Sequence, residues 1–382
     1  MDDLIRKLLI ENPNNRITWE EYFIHPFFTG TTPNPKENKI IIKLKIEQNS
    51  ISKEIYFFDN ENFNEINETN TEIFINNNKN GFCKFFKPSK EGEYEIKIIF
   101  KNNIKNCSYM FNKCNDIIYI DLSSFDSSGV TNMSHMFSEC YSLKDINLSN
   151  LNTTNIIDMS YMFNKCYELK KIDFPESFNS QNLENMASMF HWCQNLTEIT
   201  FPSSFKTIKV NNMKTLFGKC YILKKINIQN FNTSEVKDMS YMFDQCTKLE
   251  ELLINPLTFK ADKVSNMSYM FNECRELKKI DLSSFKIKNV KYTSYMFGNC
   301  QKLVEVDLSS SKFNKDTIMV HMFDGCKSMK KINISSLDTL VPKKVENMFD
   351  NLSKSTKIIV NKSYINEFKR MFKIVENQFS SV

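Results

Sequence analysis

Residues 158–174 read DMSYMFNKCYELKKIDF, and residues 266–285 read NMSYMFNECRELKKIDLSSF. The string they share is M-x-x-M-F-x-x-C-x-x-L-x-x-I, and variants of it recur from Asn106 onward. Its cysteines fall at Cys114, Cys140, Cys166, Cys193, Cys220, Cys246, Cys274, Cys300 and Cys326, spaced by 26 to 28 residues. A tenth copy, at Met348-Phe349, places Leu352 where the cysteine stood. A period this regular predicts a solenoid, because one unit cannot bury its apolar face except against its neighbours.

Each copy carries two shorter periods. Met159, Met162, Phe163 and Cys166 sit at i, i+3, i+4 and i+7, which predicts one face of a short helix or 3₁₀ turn. Leu169, Ile172 and Phe174 supply the apolar side of a short strand, and stacked strands repeat every ~4.8 Å. The expected fold is an α/β repeat solenoid over 106–360, a leucine-rich-repeat-like stack of about ten coils. Each coil would be a short helix plus a short parallel strand. Methionine suits such a core because its flexible thioether fills gaps between imperfect copies. The strings quoted above resemble the BspA-type leucine-rich repeats of bacterial surface lipoproteins and expanded protist families. That resemblance covers 106–360 and implies an adhesion or interaction protein, with no catalytic residues to carry over.

Composition narrows the function. The chain has 382 residues, of which 41% are hydrophobic and 25% charged, enough to bury a core. Its seven glycines never lie within ten residues of one another, which excludes the clustered-glycine loops that cradle phosphates. A net charge of +5 without a run of five Lys or Arg calls for no nucleic-acid partner. No apolar stretch reaches the ~20 residues that span a bilayer. Met1-Asp2-Asp3 opens without an apolar signal segment, so a cytoplasmic, reducing setting is expected. Zinc needs ligands in close pairs, whereas the nearest cysteines are Cys107 and Cys114. No metal or cofactor is therefore expected, and the cysteines read as a buried thiol ladder. Stacking also brings successive cysteines to a separation that disulfide geometry permits, so that reading stays open beside it.

The flanks read differently. Residues 2–28, DDLIRKLLIENPNNRITWEEYFIHPFF, place Leu4, Ile5, Leu8 and Leu9 at helical spacing before Asn12-Pro13, and Thr18 with Glu21 form a capping-box signature. The string resembles the last segment of protein kinase C-terminal lobes, over residues 1–29. The resemblance implies a structural role for Arg16, paired with a glutamate that this chain lacks. The Gly-rich loop, the catalytic loop and the metal-binding motif of kinases are also missing, so no phosphoryl transfer is expected. Residues 1–30 thus read as a kinase-lobe remnant and 31–38 as a linker. Residues 39–105 read as a small antiparallel β module, with strands at Glu54–Phe58, Glu72–Asn76, Phe82–Phe86 and Tyr94–Phe100 besides one from Lys39. Asp59 to Asn70 reads as a polar loop. Residues 361–382 read as a helix capping the last coil.

Two rows of side chains are candidates for binding. In the strands, Lys171, Lys225, Lys279 and Lys331 precede the core aliphatic residue, interleaved with Asp145, Glu198, Glu251 and Glu305. Asp173, Asn227, Asp281 and Asn333 follow it. Beside the Met-Phe pairs runs an aromatic row of Tyr109, His135, Tyr161, Tyr241, Tyr269, Tyr295 and His321, a composition suited to a protein contact. Asn and Asp before Met-Ser, several within N-x-S/T sequons, are read as caps rather than glycosylation sites. The expected function is a non-catalytic protein–protein interaction scaffold, the targeting or regulatory half of a larger kinase, with a protein partner. Two alternatives stand beside it: the truncated end of an active serine/threonine kinase, and a surface adhesion protein.

Overall fold

A computed structural model describes residues 37–282, 285–287, 289–311, 313, 316–337, 344–372 and 377–381. The chain divides into two units, Met1–Asn38 and Lys39–Val382. The kinase-like segment 1–30 and most of the linker lie outside the described residues.

The second unit begins with β1 (Lys39–Ile46), β2 (Ile55–Tyr56), β3 (Thr71–Ile75), β4 (Asn78–Asn80), β5 (Phe85–Phe86) and β6 (Gly92–Phe100). In β1, Ile40, Ile42, Leu44 and Ile46 are all buried, as their alternation demands. β1 lies antiparallel to β6 and, on its other side, antiparallel to β7 (Ile117–Asp121), the strand of the first repeat. β7 in turn pairs in parallel with β8 (Asp145–Asn147). The β module and the solenoid thus share one six-stranded sheet, and the first coil has no open edge there. The segment 59–70 is not merely a polar loop. Phe58 stacks on Phe111 of the first coil at 5.7 Å, and Phe63 stacks on Phe58 at 5.9 Å, so this segment roofs the solenoid.

All but one of the later coils contribute a three- or four-residue strand among the described residues. These are β9 (Lys171–Asp173), β10 (Glu198–Thr200), β11 (Lys225–Asn227), β12 (Glu251–Leu253), β13 (Glu305–Asp307), β14 (Lys331–Asn333) and β15 (Lys357–Val360). Where adjacent strands pair they do so in parallel and in register, Ile199 on Ile172 and Ile332 on Val306. The coil holding Lys279 has no strand among its described residues, and the sheet is interrupted there, between β12 and β13, as well as between β8 and β9 and between β10 and β11. A second, one-residue ladder runs along Asn106, Asn132, Asp158, Asn185, Asn212, Asp238, Asn266, Tyr292, Ile318 and Lys344 as nine parallel bridges. Its Asn and Asp side chains accept from the amide two residues on, as when Asp158 Oδ1 takes the Ser160 N–H at 2.7 Å.

The M-x-x-M-F segment is where the expected helix fails. Tyr161 and Lys165 adopt φ of 57° and 60°, as their counterparts do in every coil. Met162 and Cys166 donate N–H groups back three residues, to Met159 and Phe163, while Tyr161, Phe163 and Lys165 donate to Ala187, Met189 and His191 of the next coil. A helix would keep all these donors inside the segment. Here half of them join coils, and two consecutive four-residue turns reproduce the i, i+3, i+4, i+7 burial that a helix also gives. The coils are therefore β-solenoid turns without helix.

The core is built from columns. One phenylalanine per coil stacks on the next, from Phe111 to Phe349, at 5.3–6.1 Å and within 18° of parallel. A second corner is closed by buried hydroxyls: Thr153 Oγ1 donates to the Asn179 carbonyl and accepts the Asn179 N–H, both at 2.8 Å. After β15 the chain makes a seven-residue α1 (Ile365–Met371) and a final β16 (Phe379–Ser381), parallel to β15. The expected capping helix over 361–382 is thus a short helix plus a strand. Phe372 and Phe379 close the phenylalanine column edge-on against Phe349, at 4.9 and 5.9 Å.

Candidate functional site

The strand face largely neutralises itself. Lys171 pairs with Asp173 and Glu198, Lys225 with Glu251 at 2.8 Å, and Lys331 with Glu305 at 2.5 Å. In-register parallel pairing causes this, because it sets opposite charges of adjacent coils side by side. Asn227 and Asn333 are used locally, each accepting an amide two residues on. Lys279 and Asp281 sit at the break between β12 and β13, on a slot of about 400 Å³ lined also by Leu252, Leu253 and Ile280. The eight polar residues expected to form one continuous face are thus split between ion pairs, turn caps and a gap.

The aromatic row holds together, in two runs. Tyr109, His135 and Tyr161 stack at 4.5 Å with planes 8° apart. Tyr241, Tyr269, Tyr295 and His321 stack at 4.5–4.8 Å. All seven have φ between 55° and 62°, and the left-handed backbone aims their rings along one line. Between the runs, the same positions hold Ser188 and Thr215, also at positive φ. Tyr161, the last ring before the interruption, is 37% exposed.

A second aromatic group sits around the same corner. Tyr141 stacks on Tyr167 at 4.9 Å, and Trp192 stands edge-on to Tyr167 at 6.3 Å and to Tyr221 at 5.8 Å. The Lys219 ammonium lies 4.2 Å from the Trp192 ring centre, within cation–π range. Lys165 pairs with Glu139 at 2.6 Å. His191, next to Trp192, is pushed down to about 4 by burial, with Lys219 and Lys165 adding repulsion. Asp244 is pushed up to about 6 by burial, against a 2.8 Å hydrogen bond from Asn272 and the pull of Lys219. Reading the sequence by its Met-Phe pairs overlooks this group. Tyr141, Tyr167 and Tyr221 follow the repeat cysteine directly and Trp192 precedes it, positions that look like polar corners in the other copies.

Among the described residues no group of three or more His, Cys, Asp or Glu could hold a metal ion, and no helix is long and apolar enough to cross a membrane. The family model described as "Mycoplasma protein of unknown function, DUF285" matches residues 80–200, 105–225, 170–257, 211–336 and 307–381. No curated protein matches the chain. Among solved structures, the chain is similar to a leucine-rich repeat protein from Bacteroides ovatus, at 18% identity over 74% of this chain and 72% of that one, with a TM-score of 0.40. It is also similar to a leucine rich cell surface protein from Faecalibacterium prausnitzii, at 16% identity over 59% and 75%, with a TM-score of 0.25. The pneumococcal vaccine antigen PcpA is similar at 14% identity over 71% of each chain, with a TM-score of 0.32.

Proposed function

The chain belongs to the DUF285 family, and from that premise we propose that it is a non-catalytic protein-binding solenoid whose binding surface is the aromatic corner. The observation that carries this reading is the group around Trp192. Tyr141, Tyr167, Trp192 and Tyr221 pack against one another at the surface, each half-buried, with Lys219 on the indole face. Tyr and Trp on a rigid frame supply large contact area at low entropic cost, and such residues dominate interface energies. The strand face is the weaker candidate, because Lys171, Lys225 and Lys331 already have carboxylate partners in an adjacent coil.

The BspA-type resemblance of 106–360 supports an interaction role. The narrower reading, the targeting half of a larger kinase, rests on residues 2–28 alone, and the family matches begin at residue 80. We place the scaffold inside the cell, a setting in which its cysteines stay reduced. The test is comparative affinity capture. Trp192→Ala with Tyr167→Ala should abolish capture of a partner that the unaltered chain retains. Charge reversal at Lys171 and Lys225 should leave capture intact, and the opposite pattern would move the site to the sheet.

A further inference from the structure

We propose that the opening between β12 and residues 278–281 is a strand-addition site, which takes an extended Glu-Ile-Thr-like segment of a partner protein. The site is separate from the aromatic corner and does not depend on that reading. Residues 250–254 on one side and 278–281 on the other line a slot of about 400 Å³. It runs the length of four extended residues, ~13 Å. Lys278 and Lys279 are exposed along one wall, Glu250 and Glu251 along the other. At the other two interruptions of the sheet, strands remain on both sides, and Ile146, Ile172, Ile199 and Ile226 stay buried. Here their counterpart Ile280 is half-buried, and among the described residues no backbone hydrogen bond joins 250–254 to 278–281. β12 is thus paired on one side, with β11. An unpaired strand edge is a template for another strand.

The opening has a cause in the sequence. Cys246 and Cys274 are 28 residues apart, the widest spacing in the array. The turn cap moves accordingly. Asn227 and Asn333 cap from within their strands, whereas Asn255 caps from beyond β12 and Leu253 takes the strand position. Leu253, Ile254 and Ile280 are all half-buried along the slot. Charge and register choose the occupant. The triplet Lys171-Ile172-Asp173 recurs as Lys279-Ile280-Asp281. The first triplet pairs in register with Glu198-Ile199-Thr200, and Lys171 meets Glu198 at 3.6 Å. Such a lysine also takes its glutamate from the preceding coil, as Lys331 does from Glu305. The second triplet has no such neighbour. Glu251 and Glu305 of its flanking coils are held by Lys225 and Lys331, and among the described residues Lys279 has no carboxylate in ion-pair range. A strand with Glu beside Lys279 and an aliphatic side chain beside Ile280 satisfies both.

The test uses the full chain, isotope-labelled, with acetylated Thr-Glu-Ile-Thr-Phe amide as probe. Saturable amide shifts confined to 250–254 and 278–281 are expected. Lys279→Glu should weaken this peptide about tenfold and strengthen Thr-Lys-Ile-Thr-Phe by a similar factor. Methylating the backbone nitrogens of the peptide's Glu and Ile, which removes ladder donors toward both walls, should abolish the shifts. No saturable shift, equal binding of the methylated peptide, or equal binding of the glutamate and lysine peptides would overturn the site. Loss of the shifts in Trp192→Ala with Tyr167→Ala would also overturn it, because the peptide would then sit at the corner. Shifts that survive in that variant support the site whether or not the corner captures a partner.

Discussion

The Cys166 thiol donates to the carbonyl oxygen of Phe137, 3.2 Å away in the preceding coil. The same carbonyl accepts the Cys140 N–H at 3.2 Å. One oxygen thus closes a turn within its own coil and fastens the next coil to it. The contact repeats from Cys140 to Cys326, always onto the phenylalanine of the coil before, at 3.0–3.2 Å. Cysteine fits the position because it is small, apolar enough to be fully buried, and still a donor.

The first prediction concerns these thiols. Ten of the eleven cysteines are buried and Cys83 is half-buried. Burial pushes the buried thiols up, Cys326 to about 12. A thiol reagent should therefore titrate at most about one group in the native protein and eleven in denaturant without reductant. Fewer than eleven in denaturant would mean disulfides. Cys166→Ala should cost about 1–3 kcal/mol through the cavity and the lost donor, read from urea unfolding.

Truncation in the phenylalanine column should cost more. Phe217→Ala removes a fully buried ring stacked on both sides, by Phe190 at 5.4 Å and Phe243 at 5.6 Å. About 3–5 kcal/mol is expected. Lys225→Glu on the strand face should leave the unfolding midpoint nearly unchanged, because exposed ion pairs contribute little. Equal losses in the two variants would refute the assignment of stability to the columns.

Stability should respond to pH through two groups that oppose each other. The pKa of Asp244 rises from 3.8 to about 6 on folding, so the folded protein holds a proton that the unfolded chain releases. Its contribution falls as pH rises across that window. The pKa of His191 falls from 6.5 to about 4, so here the unfolded chain binds the extra proton, and stability rises with pH over much of the same range. The two slopes largely cancel. Asp244→Asn should leave a protein that gains stability between pH 4.5 and 6.5, and His191→Gln one that loses it, by up to about 3 kcal/mol each. Parallel pH profiles for both variants, followed by urea midpoints, would contradict this.

The solenoid is legible in the sequence because period, columns and strands all follow from the spacing of Met, Phe, Cys and Ile. Turns are not separable from helix on that basis. Two linked turns bury Met159, Met162, Phe163 and Cys166 as one helical face would, and only the left-handed backbone at Tyr161 and Lys165 distinguishes them. Nor does spacing show that Lys225 meets Glu251, since that depends on strand register. The corner was half legible. The stacked tyrosines repeat with the coil, but Trp192 occurs in one copy only and a reading tuned to repetition passes over it. Phe63 was hidden among polar neighbours, where burial depends on Phe58 and the first coil beneath it.

Hydrogen–deuterium exchange of the chain with its captured partner tests the central claim most directly. Binding at the aromatic corner predicts protection at 188–193 and 215–221, with the strand segments 171–173, 198–200 and 225–227 unchanged. Protection confined to those strand segments, with the corner exchanging as in the free protein, would contradict it.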